Sequence, residues 1–299
     1  MTAPLRYRIE DRILVAAIEG RVSLWAPVIP ETPFQRIVDF EVVGSGPSRI
    51  LREREFGNAI LHALLIPESG GKQVLRLRYE IERLPVPLML DPACAKPLGD
   101  PAAFARHLAA ERFVVVDEAT RSLANEIIGS EANPLTQARR IYDYVTGKMT
   151  YDAAQQSWTG SSVHALTCSV GNCNDIHALF ISLARSIGIP ARLVLGQALE
   201  PPPPGQDVCE LCGYHCWAEF FCRGIGWIPV DASCACKYGK HALFGGLEMN
   251  HIAWSVGRDI RLEPAQQGEP LLFFAGPYAE VDGRAHTNVA RHIGFEQIG

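Results

Sequence analysis

A helical hydrophobic pattern lies in the second half of the chain, between Gly171 and Gly188. Apolar residues recur at positions 176, 179, 180, 183, 184 and 187, which is the spacing of one face of an α-helix. Gly188 suits the left-handed position that follows a helix, and Pro190 does not continue one. The pattern therefore predicts a helix that ends at about Ile187 and holds Cys173 in its first turn.

The position of Cys173 at the start of this helix has a chemical consequence. The first turn of a helix has unpaired backbone N–H groups and carries the positive end of the helix dipole, and both favour an anion. A thiol at this position is biased toward the thiolate, which is the nucleophilic form. Cys173 is therefore a candidate nucleophile.

Two apolar segments downstream of this helix predict an antiparallel pair of strands. Residues 214–221 (YHCWAEFF) and 226–233 (GWIPVDAS) are typical of strands, and the residues between them suit a turn. The pairing brings His215 on the first segment near Asp231 on the second. A helix cysteine, a strand histidine and an aspartate one strand later are a nucleophile, a base and a group that orients the base.

Short alternating segments dominate the first part of the chain. Residues 22–27, 35–42 and 74–81 alternate apolar and polar positions and are separated by proline and glycine, which predicts strands with one solvent-exposed face. We interpret residues 1–95 as an N-terminal β-sandwich domain. The proline-rich stretch that begins near Leu84 is interpreted as a linker.

Helical patterns alternate with further strands in the remainder of the chain. Helices are predicted at 102–112, 117–128 and 133–147, where Asp117 and Asn133 suit the N-caps of the second and third helices and Pro134 suits the first position of the third. A loop follows at 149–166, and strands are predicted at 191–198 and 271–278. Residues 96–299 are therefore interpreted as a second domain of the α+β class.

Three ordered sequence blocks resemble a known family. GNCND with LARSIGIPAR, then YHCWAEFF, then GWIPVDAS resemble the transglutaminase-like superfamily of papain-fold cysteine enzymes, in particular its bacterial members with an N-terminal β-domain. The resemblance covers about residues 130–280. It implies that Cys173 is the nucleophile, His215 the base and Asp231 the third member of a catalytic triad. It also implies a papain-like core in which helices pack on an antiparallel sheet.

This resemblance, together with the candidate triad, leads to an expected function with open alternatives. We expect a cysteine-dependent amide hydrolase or acyl transferase, foremost a peptidase or amidase, that forms an acyl-thioester on Cys173 and acts on peptides or proteins. Water as acceptor gives hydrolysis, whereas an amine acceptor makes the protein a protein-glutamine transglutaminase. The alternative from another class is a non-catalytic binding module that retains the fold. No cofactor is expected, because a thiolate supplies its own nucleophile.

Four further residues are candidates for supporting roles. Trp158 or Tyr151 in the loop before Cys173 could donate a hydrogen bond to an oxyanion, although an ordinary aromatic wall residue is the simpler interpretation for each. Asp175, two residues after Cys173, suits a structural role at the helix N-terminus. His177 lies one turn after Cys173, where packing is favoured over a supporting role in catalysis.

A group of cysteines surrounds the predicted base. The residues concerned are Cys209, Cys212, Cys216, Cys222, Cys234 and Cys236. Cys209 and Cys212 have the spacing of a zinc ligand pair, and Cys234 with Cys236 could complete four thiolates. A disulfide or redox pair is a second possibility, and unliganded thiols are favoured over both. Because the group flanks the base, oxidation or metal capture there could disable it.

Composition limits the classes of partner. The chain has 299 residues, of which 47% are hydrophobic and 20% charged, with a formal net charge of −5. A basic excess that could neutralise phosphates is missing, so neither a nucleic acid nor an anionic membrane is expected as a partner. The first residues lack the apolar core of a secretory signal, and the nine cysteines fit reduced thiols, so a cytoplasmic location is expected. The oligomeric state stays open.

Overall fold

The computed structural model describes residues 3–16, 20–44, 46–65, 72–86, 90–200, 209–211 and 213–298. The strands are β1 (Leu5–Ala16), β2 (Val22–Pro27), β3 (Gln35–Val43), β4 (Ser48–Arg52), β5 (Ala59–Leu65), β6 (Lys72–Arg83), β7 (Thr150–Tyr151), β8 (Val170–Gly171), β9 (Ala191–Ala198), β10 (Cys209–Leu211), β11 (His215–Cys222), β12 (Gly226–Val230), β13 (His251–Val256), β14 (Tyr278–Val281), β15 (Arg284–Ala285) and β16 (Val289–Gln297). The helices are α1 (Ala105–Leu108), α2 (Glu118–Ile128), α3 (Pro134–Lys148), α4 (Ser162–Cys168), α5 (Cys173–Ser186) and α6 (Ala232–Tyr238).

The chain folds into two compact units that are not consecutive in sequence. The sandwich unit comprises Met1–Pro85, Leu195–Tyr214 and Met249–Gly299, and the helical unit comprises Val86–Val194 and His215–Glu248. The sequence predicts a boundary near residue 95 between an N-terminal and a C-terminal domain, and the observed division differs. The reason is that strands from the middle and the end of the chain complete the sheets of the sandwich unit.

The sandwich unit contains two antiparallel sheets. One has the strand order β10-β16-β1-β6-β3 and the other β15-β14-β2-β5-β4. Alternate residues of β1, such as Ile9, Ile13 and Val15, are buried, whereas their neighbours lie on the outer face. Both sheets contribute to one hydrophobic core, whose members include Ile9, Ile13, Leu24, Leu61, Leu77, Ile252, Trp254, Ile293 and Phe295.

The helical unit is built around α5. Every residue of α5 is buried, because α2, α3, α4, α6 and β11 all pack against it. The predicted helix over residues 173–187 is confirmed, with Asn172 as its N-cap. Asp117 and Asn133 cap α2 and α3 as their sequences predict. Helices and antiparallel strands in one chain confirm the predicted α+β class.

The strands beside α5 form an antiparallel hairpin. β11 pairs with β12 in a register that places Ala218 opposite Val230 and Phe220 opposite Ile228. β11 also neighbours β9 in the same sheet. The predicted second strand is shorter than expected, since it ends at Val230 and Asp231 begins a helix instead.

Three local predictions differ from the structure. The helix expected over 102–112 is only the short 3₁₀ turn Pro101–Phe104 followed by α1. The expected loop over 149–166 contains the start of α4. The expected strand over 271–278 makes a single bridge at Leu271, and regular pairing starts only at β14. In the part of the chain that the structure describes, none of the helices has the length and apolar character needed to cross a membrane.

Candidate active site

Cys173 is the first residue of α5 and is buried, with 6% of its surface exposed. The Asn172 side chain caps the helix by accepting hydrogen bonds from the N–H groups of Asn174 at 3.0 Å and Asp175 at 3.4 Å. The N–H of Cys173 itself is among the first-turn groups that have no partner within the helix. The cap therefore fixes the sulfur at the positive end of the helix dipole.

Asp175 fixes the loop that precedes α4 to the start of α5. Its buried carboxylate accepts hydrogen bonds from the N–H of Ser157 at 3.1 Å, of Ser161 at 2.9 Å and of Asn172 at 3.3 Å, and from the Ser157 hydroxyl. A Cβ atom on Gly171 would lie 2.6 Å from the Asp175 Cβ, so only glycine allows this close approach. The structural role predicted for Asp175 agrees with these contacts.

The imidazole of His215 lies between the sulfur and a carboxylate. His215 begins β11, and Asp231 follows the last residue of the paired strand β12. His215 Nε2 lies 2.7 Å from Asp231 Oδ2, and the ring is also hydrogen-bonded to Cys173. Because the carboxylate engages Nε2, Nδ1 is the nitrogen that remains for the sulfur. The structure brings Cys173, His215 and Asp231 together in that order.

The carboxylate of Asp231 is fully buried and held from two directions. Oδ1 accepts hydrogen bonds from the Cys234 N–H at 2.9 Å and the Ser233 hydroxyl at 2.8 Å, so the residue is also the N-cap of α6. Oδ2 remains for His215. The same side chain therefore ends the hairpin, begins the next helix and orients the imidazole.

The surroundings of Cys173 and His215 favour the charged forms of both side chains, thiolate and imidazolium. A hydrogen bond with the Cys216 thiol is the largest cause that brings the pKa of Cys173 well below its usual value, and the contact with His215 adds to it against the opposing effect of burial. Burial opposes the charged form of His215, but hydrogen bonds with Asp231, Cys173 and Cys234 outweigh it and raise its pKa well above the usual value. Thiolate and imidazolium thus stabilise each other.

His177 supports the site from inside the unit. Its ring is fully buried, and Nε2 accepts a hydrogen bond from the Ala232 N–H at 3.1 Å. Burial lowers the pKa of His177, so the ring is neutral and its proton is on Nδ1, which lies 3.8 Å from the Cys216 sulfur. His177 therefore connects α5 to the start of α6 and packs against the thiol that contacts Cys173.

The two oxyanion candidates occupy different surroundings. Tyr151 on β7 lies opposite Gly171 on β8, two residues before Cys173, and its ring is half-buried. Burial and the neighbouring Cys173 raise the pKa of Tyr151, which keeps its hydroxyl a proton donor. Trp158 is 78% exposed and has a positive φ of 64°. A donor role for either residue stays a prediction.

The predicted zinc ligands are described only in part. Cys212 and the side chain of Cys209 lie outside the described residues. Cys236 Sγ lies 3.9 Å from a backbone oxygen of α3, whereas Cys234 Sγ lies 4.0 Å from His215 Nε2. His215, Asp231 and Cys234 each offer one ligand atom, and these atoms lie within 4.8 Å of one another, so this trio is chemically able to hold a metal ion.

Comparisons with known proteins agree with this arrangement. Residues 121–232 match the family model of the transglutaminase-like superfamily, and this range includes all three members of the candidate triad. Residues 121–232 are therefore similar in sequence to the transglutaminase-like superfamily. An uncharacterized protein from Haemophilus influenzae is 26% identical over 312 aligned positions, which cover 91% of this chain and 84% of the relative.

Two solved structures are similar to this chain to different degrees. The structure of a candidate cysteine protease from Cytophaga hutchinsonii matches with a TM-score of 0.62 and 16% identity, covering 99% of each chain. The periplasmic domain of TgpA from Pseudomonas aeruginosa matches with a TM-score of 0.43 and 15% identity over 81% of this chain and 91% of that chain. The Cytophaga match shows a common fold.

Sequence reasoning missed two thiols that adjoin the three candidate catalytic residues. The sequence places Cys216 on a predicted strand within the group of cysteines, and in the structure its thiol is hydrogen-bonded with Cys173. The spacing of Cys234 and Cys236 predicts only a ligand pair, whereas in the structure Cys234 adjoins His215. The signal for Cys234 is its position three residues after Asp231, because the N-cap and that position meet in the first helical turn. No comparable spacing connects Cys216 to Cys173.

Proposed function

We propose that this protein is a cysteine-dependent amide hydrolase that acts on peptides or proteins. The observation that carries the proposal is the continuous contact from the Cys173 sulfur through His215 to the Asp231 carboxylate. A nucleophile, a base and an orienting carboxylate in contact are what acyl transfer through a covalent intermediate requires. The match of residues 121–232 to the transglutaminase-like family supports the same chemistry.

The first half of the reaction forms an acyl-thioester. The Cys173 thiolate attacks the carbonyl carbon of the amide, and the carbonyl oxygen becomes an oxyanion. The N–H of Cys173 at the helix N-terminus is suited to donate to that oxygen. The His215 imidazolium then gives its proton to the leaving amine, the C–N bond breaks, and the acyl group remains on sulfur.

The second half of the reaction releases the acyl group. His215, now neutral, accepts a proton from water as the water oxygen attacks the thioester, and the C–S bond breaks to restore the thiolate. Asp231 keeps the ring in the tautomer that presents Nδ1 to the sulfur throughout. If a primary amine attacks in place of water, the same steps give transamidation. Hydrolysis and transamidation therefore differ only in the acceptor.

A combined labelling and turnover experiment tests the proposal. Iodoacetamide at about pH 6, where an ordinary thiol is mostly protonated, is expected to modify Cys173 first, as mapped by mass spectrometry. A peptide library incubated with the protein and a fluorescent primary amine is expected to show cleaved or deamidated peptides. Amine adducts as the main product identify a transglutaminase instead.

Two variants control for a chance reaction. Cys173→Ala is expected to abolish turnover, whereas Cys222→Ser, which replaces a buried thiol on β11, is expected to leave it unchanged. Uniform slow labelling of all thiols together with no turnover of any peptide would overturn the proposal. That result would favour a binding module that retains the fold.

A further inference from the structure

Three groups that are able to bind a metal ion lie at the Nε2 side of the His215 ring: the ring nitrogen itself, a carboxylate and a thiol. We propose that His215 Nε2, Asp231 Oδ2 and Cys234 Sγ form a reversible binding site for Zn²⁺ that switches the enzyme off. The binding site is independent of the reaction, whereas its inhibitory effect rests on the function proposed above. Imidazole nitrogen, carboxylate oxygen and thiolate sulfur are the three ligand types that zinc accepts in proteins.

The distances are close to those of a tetrahedral site. Zinc lies about 2.0–2.3 Å from nitrogen, oxygen and sulfur ligands, so two ligand atoms of one ion are about 3.4–3.6 Å apart. His215 Nε2 is 4.0 Å from Cys234 Sγ and 2.7 Å from Asp231 Oδ2. For a zinc ion to bind, Cys234 Sγ has to approach His215 Nε2 by a few tenths of an ångström. Asp231 Oδ2 has to move away from the same nitrogen by less than about one ångström.

The fold holds the three ligands before any ion binds. Asp231 and Cys234 lie in the first turn of α6, joined by the hydrogen bond from the Cys234 N–H to Asp231 Oδ1. That bond engages Oδ1, whereas Oδ2 is the oxygen that faces His215 Nε2. Asp231 is fully buried and Cys234 is 7% exposed, while the His215 side chain is 17% exposed and provides access from solvent.

Zinc binding removes the base from the reaction. The ion displaces the proton from His215 Nε2 and the proton from the Cys234 thiol, and both are released to solvent. The imidazole then binds zinc through Nε2 and keeps its proton on Nδ1, the nitrogen that faces Cys173. With both ring nitrogens occupied, His215 has no site left to accept a proton from thiol or water. A chelator that removes the ion restores the base.

Zinc binding itself is the first test. Zn²⁺ competition against a chromophoric chelator is expected to show one ion per chain for the wild type and for Cys222→Ser. Cys234→Ser keeps the size of the side chain but removes the thiolate, and it is expected to bind zinc at least about tenfold more weakly. Cys234→Ala repeats the test with a different side chain. Equal affinity of the wild type and both Cys234 variants would overturn the proposal.

A further variant locates the ion. Cys173→Ala is expected to bind zinc as tightly as the wild type, because the nucleophile lies on the Nδ1 side of the ring. Loss of binding in Cys173→Ala would place the ion between the nucleophile and His215, and the proposed site would be wrong. Thermal unfolding of each variant without zinc verifies that the fold is retained.

Turnover is the second test and separates the two proposals. Zinc is expected to inhibit the wild type, a chelator is expected to reverse the inhibition, and Cys234→Ser is expected to need at least about tenfold more zinc for the same fractional loss. If no peptide is turned over but zinc binding still depends on Cys234, the proposed function fails and the metal site stands. Activation by zinc would overturn the inhibitory role, and so would inhibition that needs the same zinc concentration in the wild type and in Cys234→Ser.

Discussion

At the scale of single residues, the site depends on opposite pKa shifts in two neighbouring side chains. The pKa of Cys173 lies well below its usual value and that of His215 well above it. Between these two pKa values the sulfur is a thiolate and the imidazole carries the proton. In the proposed reaction, the nucleophile is therefore formed before substrate arrives, and the proton is already on the group that has to give it to the leaving amine.

The first prediction concerns the pH dependence of alkylation. The rate of reaction of Cys173 with iodoacetamide is expected to depend only weakly on pH across the neutral range, because the pKa of Cys173 lies well below its usual value and that of His215 well above it. Cys222, whose pKa burial raises to about 12, is expected to stay unmodified over the same range. Mass spectrometry of timed samples measures both rates.

The control for this prediction is His215→Ala. Removing the imidazolium raises the pKa of Cys173, so the alkylation rate is expected to fall at neutral pH and to increase as pH rises. A wild-type rate that climbs about tenfold per pH unit over the neutral range would contradict the thiolate–imidazolium pair.

The second prediction separates the two roles of Asp231. Asp231→Asn is expected to retain the cap of α6, because asparagine caps as well as aspartate, while it loses the charge that holds the imidazolium. The pKa of His215 falls, so the pH range over which the alkylation rate of Cys173 is constant ends at a lower pH. Turnover at neutral pH is expected to drop by about 10²–10⁴-fold, as measured by peptide cleavage.

Asp231→Ala provides the comparison for this variant. It removes the cap as well as the charge, so its free energy of unfolding is expected to be about 1 kcal/mol lower than that of Asp231→Asn. Asp231→Asn with an unchanged pH profile and unchanged turnover would show that the carboxylate does not act through His215.

The same residues show what the sequence predicts at this scale. Cys173, His215 and Asp231 are recognisable because a helical pattern and two strand patterns fix the local position of each one. Cys216 and Cys234 are equally close to the reacting groups, but their contacts depend on how α5, β11 and α6 pack in three dimensions. Tertiary contacts between a helix terminus and a strand leave no periodic signal in the chain.

At the scale of elements, the start of α5 depends on one buried carboxylate. Asp175 accepts backbone hydrogen bonds from Ser157, Ser161 and Asn172, and thereby connects the preceding loop to the helix that carries the nucleophile. Hydrogen bonds to a charged acceptor are stronger than hydrogen bonds between neutral groups. A buried donor that is left without an acceptor destabilises the folded protein. The position of the nucleophile is therefore linked to the stability of the loop.

The third prediction follows from this link. Asp175→Ala is expected to lower the free energy of unfolding by about 3 kcal/mol or more, because several buried donors lose their acceptor at once. Urea unfolding followed by circular dichroism measures the change. Alkylation of Cys173 at about pH 6 is expected to slow as well, since the loop and the helix start lose their common support.

A matched control lies in the same loop. Asp152 is an acidic residue that caps the short 3₁₀ turn Ala153–Gln155 by accepting from the Ala154 N–H at 2.8 Å, in an exposed setting. Asp152→Ala is expected to cost only about 0.5–1 kcal/mol. Equal losses for the two variants would mean that burial and the number of donors are not what makes Asp175 important.

Local sequence signals predict the elements that carry them, whereas elements that depend on long-range contacts have no such signal. α2 and α3 begin where Asp117 and Asn133 indicate. The helix expected over 102–112 stops at Leu108, and the chain becomes extended so that Glu111 reaches the buried Arg185 at 3.2 Å. A partner 74 residues away cannot be read from a local pattern.

At the scale of the whole chain, the two ends meet in one sheet. β1 pairs with β16 along nine residue pairs, from Tyr7 opposite Gln297 to Val15 opposite Val289. The sandwich unit therefore needs the last strand as much as the first. Hydrophobic alternation predicts that each strand exists but carries no information about which strand lies beside it, and for this reason the domain boundary expected near residue 95 differs from the observed division.

An ion pair with a buried carboxylate and a partly buried guanidinium adds to this pairing inside the sandwich unit. Arg291 on β16 binds the fully buried carboxylate of Asp11 on β1 through three contacts of 2.6–3.1 Å. The Arg291 guanidinium also donates to the backbone oxygen of Ala275 and lies 5.5 Å from the centre of the Trp254 ring. Removal of one partner from a buried pair leaves an uncompensated charge.

The last prediction compares this pair with an exposed pair on the same two strands. Arg291→Met is expected to lower the free energy of unfolding of the sandwich unit by about 3–5 kcal/mol, because Asp11 stays buried without its cation. Arg8→Met breaks the exposed contact of Arg8 with Glu296 at 3.0 Å, and it is expected to cost less than about 1 kcal/mol. Urea unfolding of both variants, followed by the fluorescence of the buried tryptophans, measures the difference. Equal losses would contradict the argument, since they would mean that closing the sheet between the chain ends depends on strand pairing alone and not on the ion pair inside it.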